Sequence, residues 1–259
     1  MNWFQVLAYF RYLRRRKGRH GVHSPLVYDF IENVLDDTRV YYSFEEIEAM
    51  RKQLLNSPDE ITVMDYGAGS RVMRGPVRPI RKIARYALKP ARQARMLFRL
   101  VAWLRPKSIL EIGTSLGITS LYLHEAHPDA QFITLEGCPE TAQQAQSMFL
   151  NRGSRIELIE GEFDQTLPKA LETLSQVEFA FLDGNHTYAA TKSYFEQIKP
   201  YLTTKSCVVL DDIHWSREMQ KAWVEISHDS KVTLSLDLFH FGILFFDTGR
   251  DKEHFIIKM

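Results

Sequence analysis

Hydrophobic and polar positions alternate most legibly from Lys107 onward. A short apolar run, Ser108 to Ile112, breaks at Gly113 and Gly117, and apolar positions then recur with a helical period through Leu123. Such a run predicts strand, tight turn, helix. The same alternation repeats down the chain. Strands are predicted near 108–112, 131–136, 155–159, 178–183 and 206–211, and helices near 117–126, 139–151, 166–175, 187–198 and 216–228. Residues 232–246 read as two long strands forming a hairpin, and 254–258 as a further strand. Alternating β and α with a closing β pair predicts an α/β fold: a doubly wound, mostly parallel sheet with an antiparallel hairpin at one edge.

The first part of the chain has a different pattern. Residues 1–60 read as helical. Ser24 before Pro25 predicts a helix N-terminus for 24–35, with the serine as N-cap. Ser43 with Glu46 predicts a capping box at the start of a helix over 43–55. Residues 61–95 are the least regular. Ile61–Ser70 imitates a strand and glycine turn with Asp65, but two prolines and no apolar helix pattern follow, so it reads as a loop or lid. Arg78, Arg81, Lys82, Arg85, Lys89, Arg92, Arg95 and Arg99 then recur at near-helical spacing, as a solvated basic face would. The expected division is 1–95, a helical and basic cap with a loop region, and 96–259, the sheet domain.

Composition narrows the classes. The 259 residues are 45% apolar and 25% charged, as in ordinary globular proteins. No apolar run reaches the length of a membrane span. The apolar N-terminus precedes Arg11, Arg14, Arg15 and Arg16, the wrong order for a signal peptide. Two cysteines, Cys138 and Cys207, argue against a disulfide framework, and a cytoplasmic location is expected. Charge is uneven: residues 1–105 hold 20 of the 33 Lys and Arg but 10 of the 32 Asp and Glu. A basic layer over an acidic domain accounts for this, and so does an anionic partner, including nucleic acid.

The chemistry gathers where parallel strands end, because parallel strands share a carboxyl edge. Glycines at the first turn let backbone approach a ligand closely. Glu111 lies on that strand, and Glu136 ends the next one, where a carboxylate can accept hydrogen bonds from both hydroxyls of a ribose. A dinucleotide dehydrogenase would require Gly-x-Gly-x-x-Gly, but Ser115 stands where its second glycine would be. Asp183, Asp211 and Asp212 end the fourth and fifth strands. Three converging carboxylates repel unless protonated or bound to a cation, and oxygen ligands favour Mg²⁺ or Ca²⁺, with Mn²⁺ an option.

These features resemble the class I S-adenosylmethionine (SAM)-dependent methyltransferases, a Rossmann-like family. Among them the two Asp-tipped strands resemble the metal-dependent catechol, caffeoyl-CoA and sugar O-methyltransferases. The resemblance covers roughly residues 95–259. It implies that Glu111, Gly113, Ser115, Gly117 and Thr119 hold the methionine end, that Glu136 holds the ribose, and that Gly161, Glu162 and Phe163 flank adenine. It implies Mg²⁺ on Asp183, Asp211 and Asp212, binding and acidifying the acceptor, with Asp183 also counted among the catalytic and the cofactor-binding residues. Catechol-type enzymes place a lysine three residues beyond the first Asp as base. Here that position is His186, whose ordinary pKa of about 6.5 suits a general base. His214 is a second candidate, and Trp215 a candidate wall for the substrate. The expected function is O-methylation of a small hydroxylated acceptor, anionic given the basic layer, with a homodimer as the expected assembly. The alternatives are a metal-free N- or RNA-methyltransferase and a non-catalytic SAM- or nucleotide-binding protein.

Overall fold

The structure, a computed structural model, describes residues 3–64, 75–247 and 251–259. The cap comprises α1 (Trp3–Arg15), α2 (Pro25–Phe30, continued by a π-helical turn, Ile31–Leu35), α3 (Tyr42–Asn56), β1 (Glu60–Thr62), β2 (Val77–Pro79) and α4 (Ile80–Tyr86). It is followed by α5 (Ala91–Leu104), β3 (Ser108–Ile112), α6 (Ile118–Ala126), β4 (Gln131–Glu136), α7 (Pro139–Arg152), β5 (Ile156–Glu160) and α8 (Phe163–Leu174). The remainder is β6 (Val177–Leu182), α9 (Tyr188–Ile198), β7 (Leu202–Asp211), α10 (Arg217–Ser227), β8 (Leu234–Asp237), β9 (Phe241–Phe245) and β10 (Glu253–Ile256). Every strand and helix predicted between 108 and 228 is present, with bounds shifted by a few residues.

The eight-stranded sheet has the order β10-β8-β9-β7-β6-β3-β4-β5. All neighbours pair in parallel except β9, which runs antiparallel between β7 and β8. The expected hairpin is thus β8 and β9, and β10 adds a strand outside it. The order reverses at β3, which lies between β4 and β6. Crevices at such a switch point, outside the carboxyl ends, are where open α/β sheets bind ligands.

Alternating strand residues feed two cores, as the two-residue period of a strand requires. Ile109, Phe132, Phe179, Phe181 and Val209 face α5, α6 and α7. Leu110, Ile133, Ala180, Val208 and Leu244 face α8, α9 and α10. The first core also contains Val27, Phe30, Phe44 and Ile47, so cap helices share it with residues on both sides of position 95. β1 and β2 form a separate antiparallel pair, Glu60 opposite Pro79. The Asp65–Ser70 imitation turn lies outside the described residues, but the strand before it is fixed: the Thr62 amide donates to Glu140 Oε2 at 2.7 Å.

Both predicted serine caps need correction. Ser24 does precede the first helical residue, but it makes no side-chain cap; its hydroxyl donates to Glu253 Oε2 at 2.7 Å instead. The Ser43 helix begins one residue earlier, after Tyr41, without a side-chain cap, and Glu46 pairs with Arg152 at 2.7 Å. The basic run is also not one face. It is split between α4 and α5 by the Leu88-Lys89-Pro90 connection, where proline disfavours a helical residue before it. Arg81, Lys82, Arg85 and Arg92 are exposed, whereas Arg95 sits 5.2 Å from the Phe44 ring centre and Arg99 pairs with Asp37 at 3.5 Å.

Candidate active site

The site begins with the turn after β3. Gly113 has φ +102°, and a Cβ there would lie 2.5 Å from the Asp183 carbonyl oxygen. Only glycine combines that backbone with that approach. The contact brings the β3 and β6 tips together, aided by the Asp183 amide donating to Ile112 O at 2.9 Å. At Gly117, with φ +79°, a Cβ would meet Phe149 of α7 at 2.8 Å. Ser115 between them has φ +50°. Thr119 is buried in the first turn of α6.

Glu111 is wholly buried. Its Oε2 accepts from Ser120 and, at 2.7 Å, from Thr134, which ties α6 to β4 beneath the turn; its Oε1 has no partner among the described residues. Burial pushes its pKa up to about 8, against the Ser120 and Thr134 hydrogen bonds. Glu136 ends β4 and is clamped by backbone: Oε2 accepts from the Ser115 amide at 2.8 Å and Oε1 from the Cys138 amide at 3.0 Å. Each carboxylate oxygen has two lone pairs, so each retains one for a ligand hydroxyl. Burial raises its pKa, and the backbone donors oppose that.

Beyond β5, Gly161 has φ +136° and donates its amide to Glu136 O at 2.9 Å. Glu162 is exposed at the head of α8. Phe163 is half-buried and packs edge-on to Tyr194 with ring centres 6.0 Å apart. It also abuts Gly184, where a Cβ would lie 2.6 Å from the ring. The three residues expected around adenine therefore line one wall, from the Glu136 end to the β6 tip.

The β6 and β7 tips carry the polar cluster. Asp183, His186 and Asp211 each offer a donor atom, and these atoms lie within 4.8 Å of one another. His186 Nε2 is 3.5 Å from Asp183 Oδ1. Asp212 stands outside this group, in a left-handed conformation with φ +51°. Asn185 and His186 also have positive φ, +65° and +32°. Strain of this kind gathers at functional sites because the surrounding structure must hold it. Burial pushes Asp211 up to about 7, helped by Asp183 and opposed by Lys89; burial and Asp211 push Asp212 up to about 6. Burial lowers His186, with Asp211 and Asp212 opposing.

One member was not identified from the sequence. Lys89, from the α4–α5 connection, places Nζ 3.0 Å from Asp183 Oδ1 and hydrogen-bonds Asp211 Oδ2. Burial works against its charge, but Asp183, Asp211 and Asp212 outweigh burial and raise its pKa. The sequence signal was a Lys-Pro pair between two helical runs, with nothing to connect it to strand tips about a hundred residues away. His214 lies elsewhere: it is buried, with Nε2 2.8 Å from Asp237 Oδ2 and its ring stacked on Phe239. The Trp215 carbonyl accepts from Gln5 of α1 at 3.2 Å.

Residues 110–213 match the model of a family described as a methyltransferase domain. No curated protein matches the chain. Several solved structures share its fold. A Podospora anserina methyltransferase bound to S-adenosylhomocysteine is 17% identical, with a TM-score of 0.60, covering 87% of this chain and 97% of its own. An O-methyltransferase from Bacillus cereus, also with S-adenosylhomocysteine, is 17% identical with a TM-score of 0.53, covering 85% and 96%. The Streptomyces achromogenes O-methyltransferase TomG, bound to SAM, is 18% identical with a TM-score of 0.55, covering 82% and 92%. The chain thus has the Rossmann-like fold of these methyltransferases, and its residues 110–213 are similar to a methyltransferase domain. Both cysteines are free and buried, and among the described residues no helix is long and apolar enough to cross a membrane.

Proposed function

We propose that the protein transfers a methyl group from SAM to a hydroxyl oxygen of a small acceptor bound at the β6 and β7 tips. The observation that carries this reading is the succession along one sheet edge. A glycine turn leads to a clamped carboxylate with lone pairs to spare, and a buried polar cluster occupies the next two tips. Glu136 would accept both ribose hydroxyls, the Gly113–Gly117 turn would approach the methionine end, and Gly161, Glu162 and Phe163 would flank adenine. Glu111 Oε1, which has no partner among the described residues, is a buried polar atom beneath that turn.

When bound, SAM supplies an electrophilic methyl on a sulfonium, and its departure leaves a neutral thioether. The protein positions the acceptor oxygen in line and keeps water away, which lowers the barrier by proximity. His186 Nε2 is placed to take the acceptor proton, since its lowered pKa leaves it neutral near pH 7.

The family resemblance also implies Mg²⁺, with Mn²⁺ or Ca²⁺ as alternatives, on Asp183, Asp211 and Asp212. The donors have the right hard oxygen chemistry. They do not fit an ion as they stand, because the Lys89 ammonium already bridges Asp183 and Asp211. No step is therefore assigned to an ion. Titration calorimetry with SAM, followed by a screen of hydroxylated acceptors for S-adenosylhomocysteine release, tests the reading. Low-micromolar SAM binding and turnover of a hydroxyl acceptor are expected. Binding of NADH in place of SAM, or turnover only on RNA or an amine, overturns it.

A further inference from the structure

We propose that Lys89 is the resident cation of the Asp183–Asp211 cluster, holding the place a divalent ion would take, so that the site assembles and works without one. The inference rests on the methyl-transfer reading above.

The geometry is that of an occupied cation site. Lys89 Nζ touches Asp183 Oδ1 at 3.0 Å and Asp211 Oδ2 directly, and these are oxygens an ion would need. Hard divalent ions bind carboxylate oxygens at about 2.0–2.6 Å. An ion within that reach of these same two oxygens would therefore crowd the ammonium itself. Two cations cannot share the position without strong repulsion, which a poorly solvated interior screens little.

The lysine is also built in rather than draped over the site. Its side chain is 12% exposed, and that of Asp211 is 1% exposed. Its backbone is fixed on both sides. Upstream, Ile80, Ile83 and Ala84 anchor α4 in a small core with Ile61 and Leu116. Downstream, Pro90 sets the start of α5, whose Ala94, Leu97 and Val101 are wholly buried. Breaking a buried ion pair by removing one partner leaves an uncompensated charge, here several of one sign. The cation that the carboxylates require is thus supplied by the cap, and the cap and the cluster form one unit.

A functional consequence follows. A divalent ion would hold two acceptor oxygens, whereas the ammonium gives two of its three N–H donors to Asp183 and Asp211 and has one left. The acceptor then needs to present a single oxygen, with Lys89 favouring its anionic form and His186 at Asp183 placed to receive its proton.

The test uses the full chain and MnCl₂ alone, followed by electron paramagnetic resonance and calorimetry. Wild type should bind no Mn²⁺ at the cluster up to about 1 mM, the weak end of protein sites for such ions. Lys89→Met removes the charge while keeping a long apolar side chain. It should gain Mn²⁺ binding at least about tenfold tighter than wild type, and adding Asp211→Asn should abolish the gain. Wild-type binding at or below about 1 mM that Asp211→Asn abolishes overturns the proposal. So does a folded Lys89→Met with no gain. Should Lys89→Met fail to fold, the wild-type titration alone decides. SAM calorimetry in parallel separates the two readings. Loss of SAM binding in wild type defeats the methyl-transfer reading, whereas Mn²⁺ on Asp211 beside intact SAM binding defeats only the role of Lys89.

Discussion

Replacing Gly113 with alanine should damage both stability and cofactor binding, for two separable reasons. The first is conformational. At φ +102° a residue with a Cβ occupies sparsely populated backbone, at a cost of about 1–3 kcal/mol. The second is steric. The new Cβ would lie 2.5 Å from the Asp183 carbonyl oxygen, and that atom belongs to backbone tied to β3 by the Asp183 amide bond to Ile112. Overpacking against an immobile neighbour adds about 1–3 kcal/mol. The sum, roughly 2–6 kcal/mol, is a large share of the 5–15 kcal/mol typical of a folded domain. Gly153, at the end of α7, provides the control: its φ is +67°, but no described atom lies within 4 Å of the position a Cβ would take. Gly153→Ala should therefore cost about 1 kcal/mol, the strain alone. Urea denaturation of both variants measures the difference, and calorimetry should show SAM affinity reduced at least about tenfold in Gly113→Ala and unchanged in Gly153→Ala. Equal costs, or intact SAM binding in Gly113→Ala, would refute the assignment of this turn to close approach and to the cofactor.

Three further outcomes are expected. Glu136→Ala should weaken SAM by losing two charge-assisted hydrogen bonds, about 1.5–3 kcal/mol each, and calorimetry showing unchanged affinity would remove the ribose assignment. Glu111→Gln should change how stability depends on pH. The native state keeps the Glu111 proton up to about 8 whereas the unfolded chain loses it near 4.5, so the stability this group contributes is complete below about 4.5 and is lost as pH rises through about 8. The glutamine is neutral throughout, so its stability relative to wild type should climb across that window by on the order of 4 kcal/mol; a flat difference in denaturation midpoints from pH 5 to 8.5 would contradict it. His186→Ala should slow methyl transfer by about two orders of magnitude, flatten the acidic limb of the pH–rate profile and spare SAM binding. In wild type that limb should fall below the ordinary histidine value of about 6.5, because burial lowers the His186 pKa and the protonated ring cannot accept a proton. Near-normal turnover in the variant would return His186 to a structural role.

The legible parts of this fold are those in which local pattern and burial agree. Ser108–Ile112 and Gln131–Glu136 are central strands covered on both faces, so nearly all their residues must be apolar or small, and their bounds emerge from sequence unchanged. The carboxylates at their ends were legible for the same reason: an acid that closes an apolar strand stands out. The cap was less legible because its contacts are distant. Ser24 looks like a helix cap, yet its hydroxyl serves Glu253, 229 positions away. Lys89 sits in a run of basic residues whose spacing suggests one solvated face, and only the break before Pro90 and the arrival of Asp183 and Asp211 from the sheet distinguish it. Asp212 next to Asp211 reads as a matched pair, but a turn in the backbone sends it outside the group formed by Asp183, His186 and Asp211.

The seam between the α1 region and β10 has a consequence for biosynthesis. The Lys17 amide donates to Ile256 O at 2.7 Å, the Lys258 amide donates back to Lys17 O at 2.9 Å, and Tyr12 Oη donates to Ile257 O at 2.8 Å. A ribosome makes α1 long before the strand it docks on, because every other element of the domain lies between them in sequence. At about 5–20 residues per second, α1 waits tens of seconds before its partner strand exists, with Trp3, Leu7 and Phe10 on a surface that stays exposed even after docking. Docking of the α1 region therefore waits on synthesis of β10: without Ile256 and Ile257 it loses the Lys17 and Tyr12 bonds, although its contacts with Phe239 and the Trp215 carbonyl remain, and the outer edge of β10 lacks the Lys17 bridge.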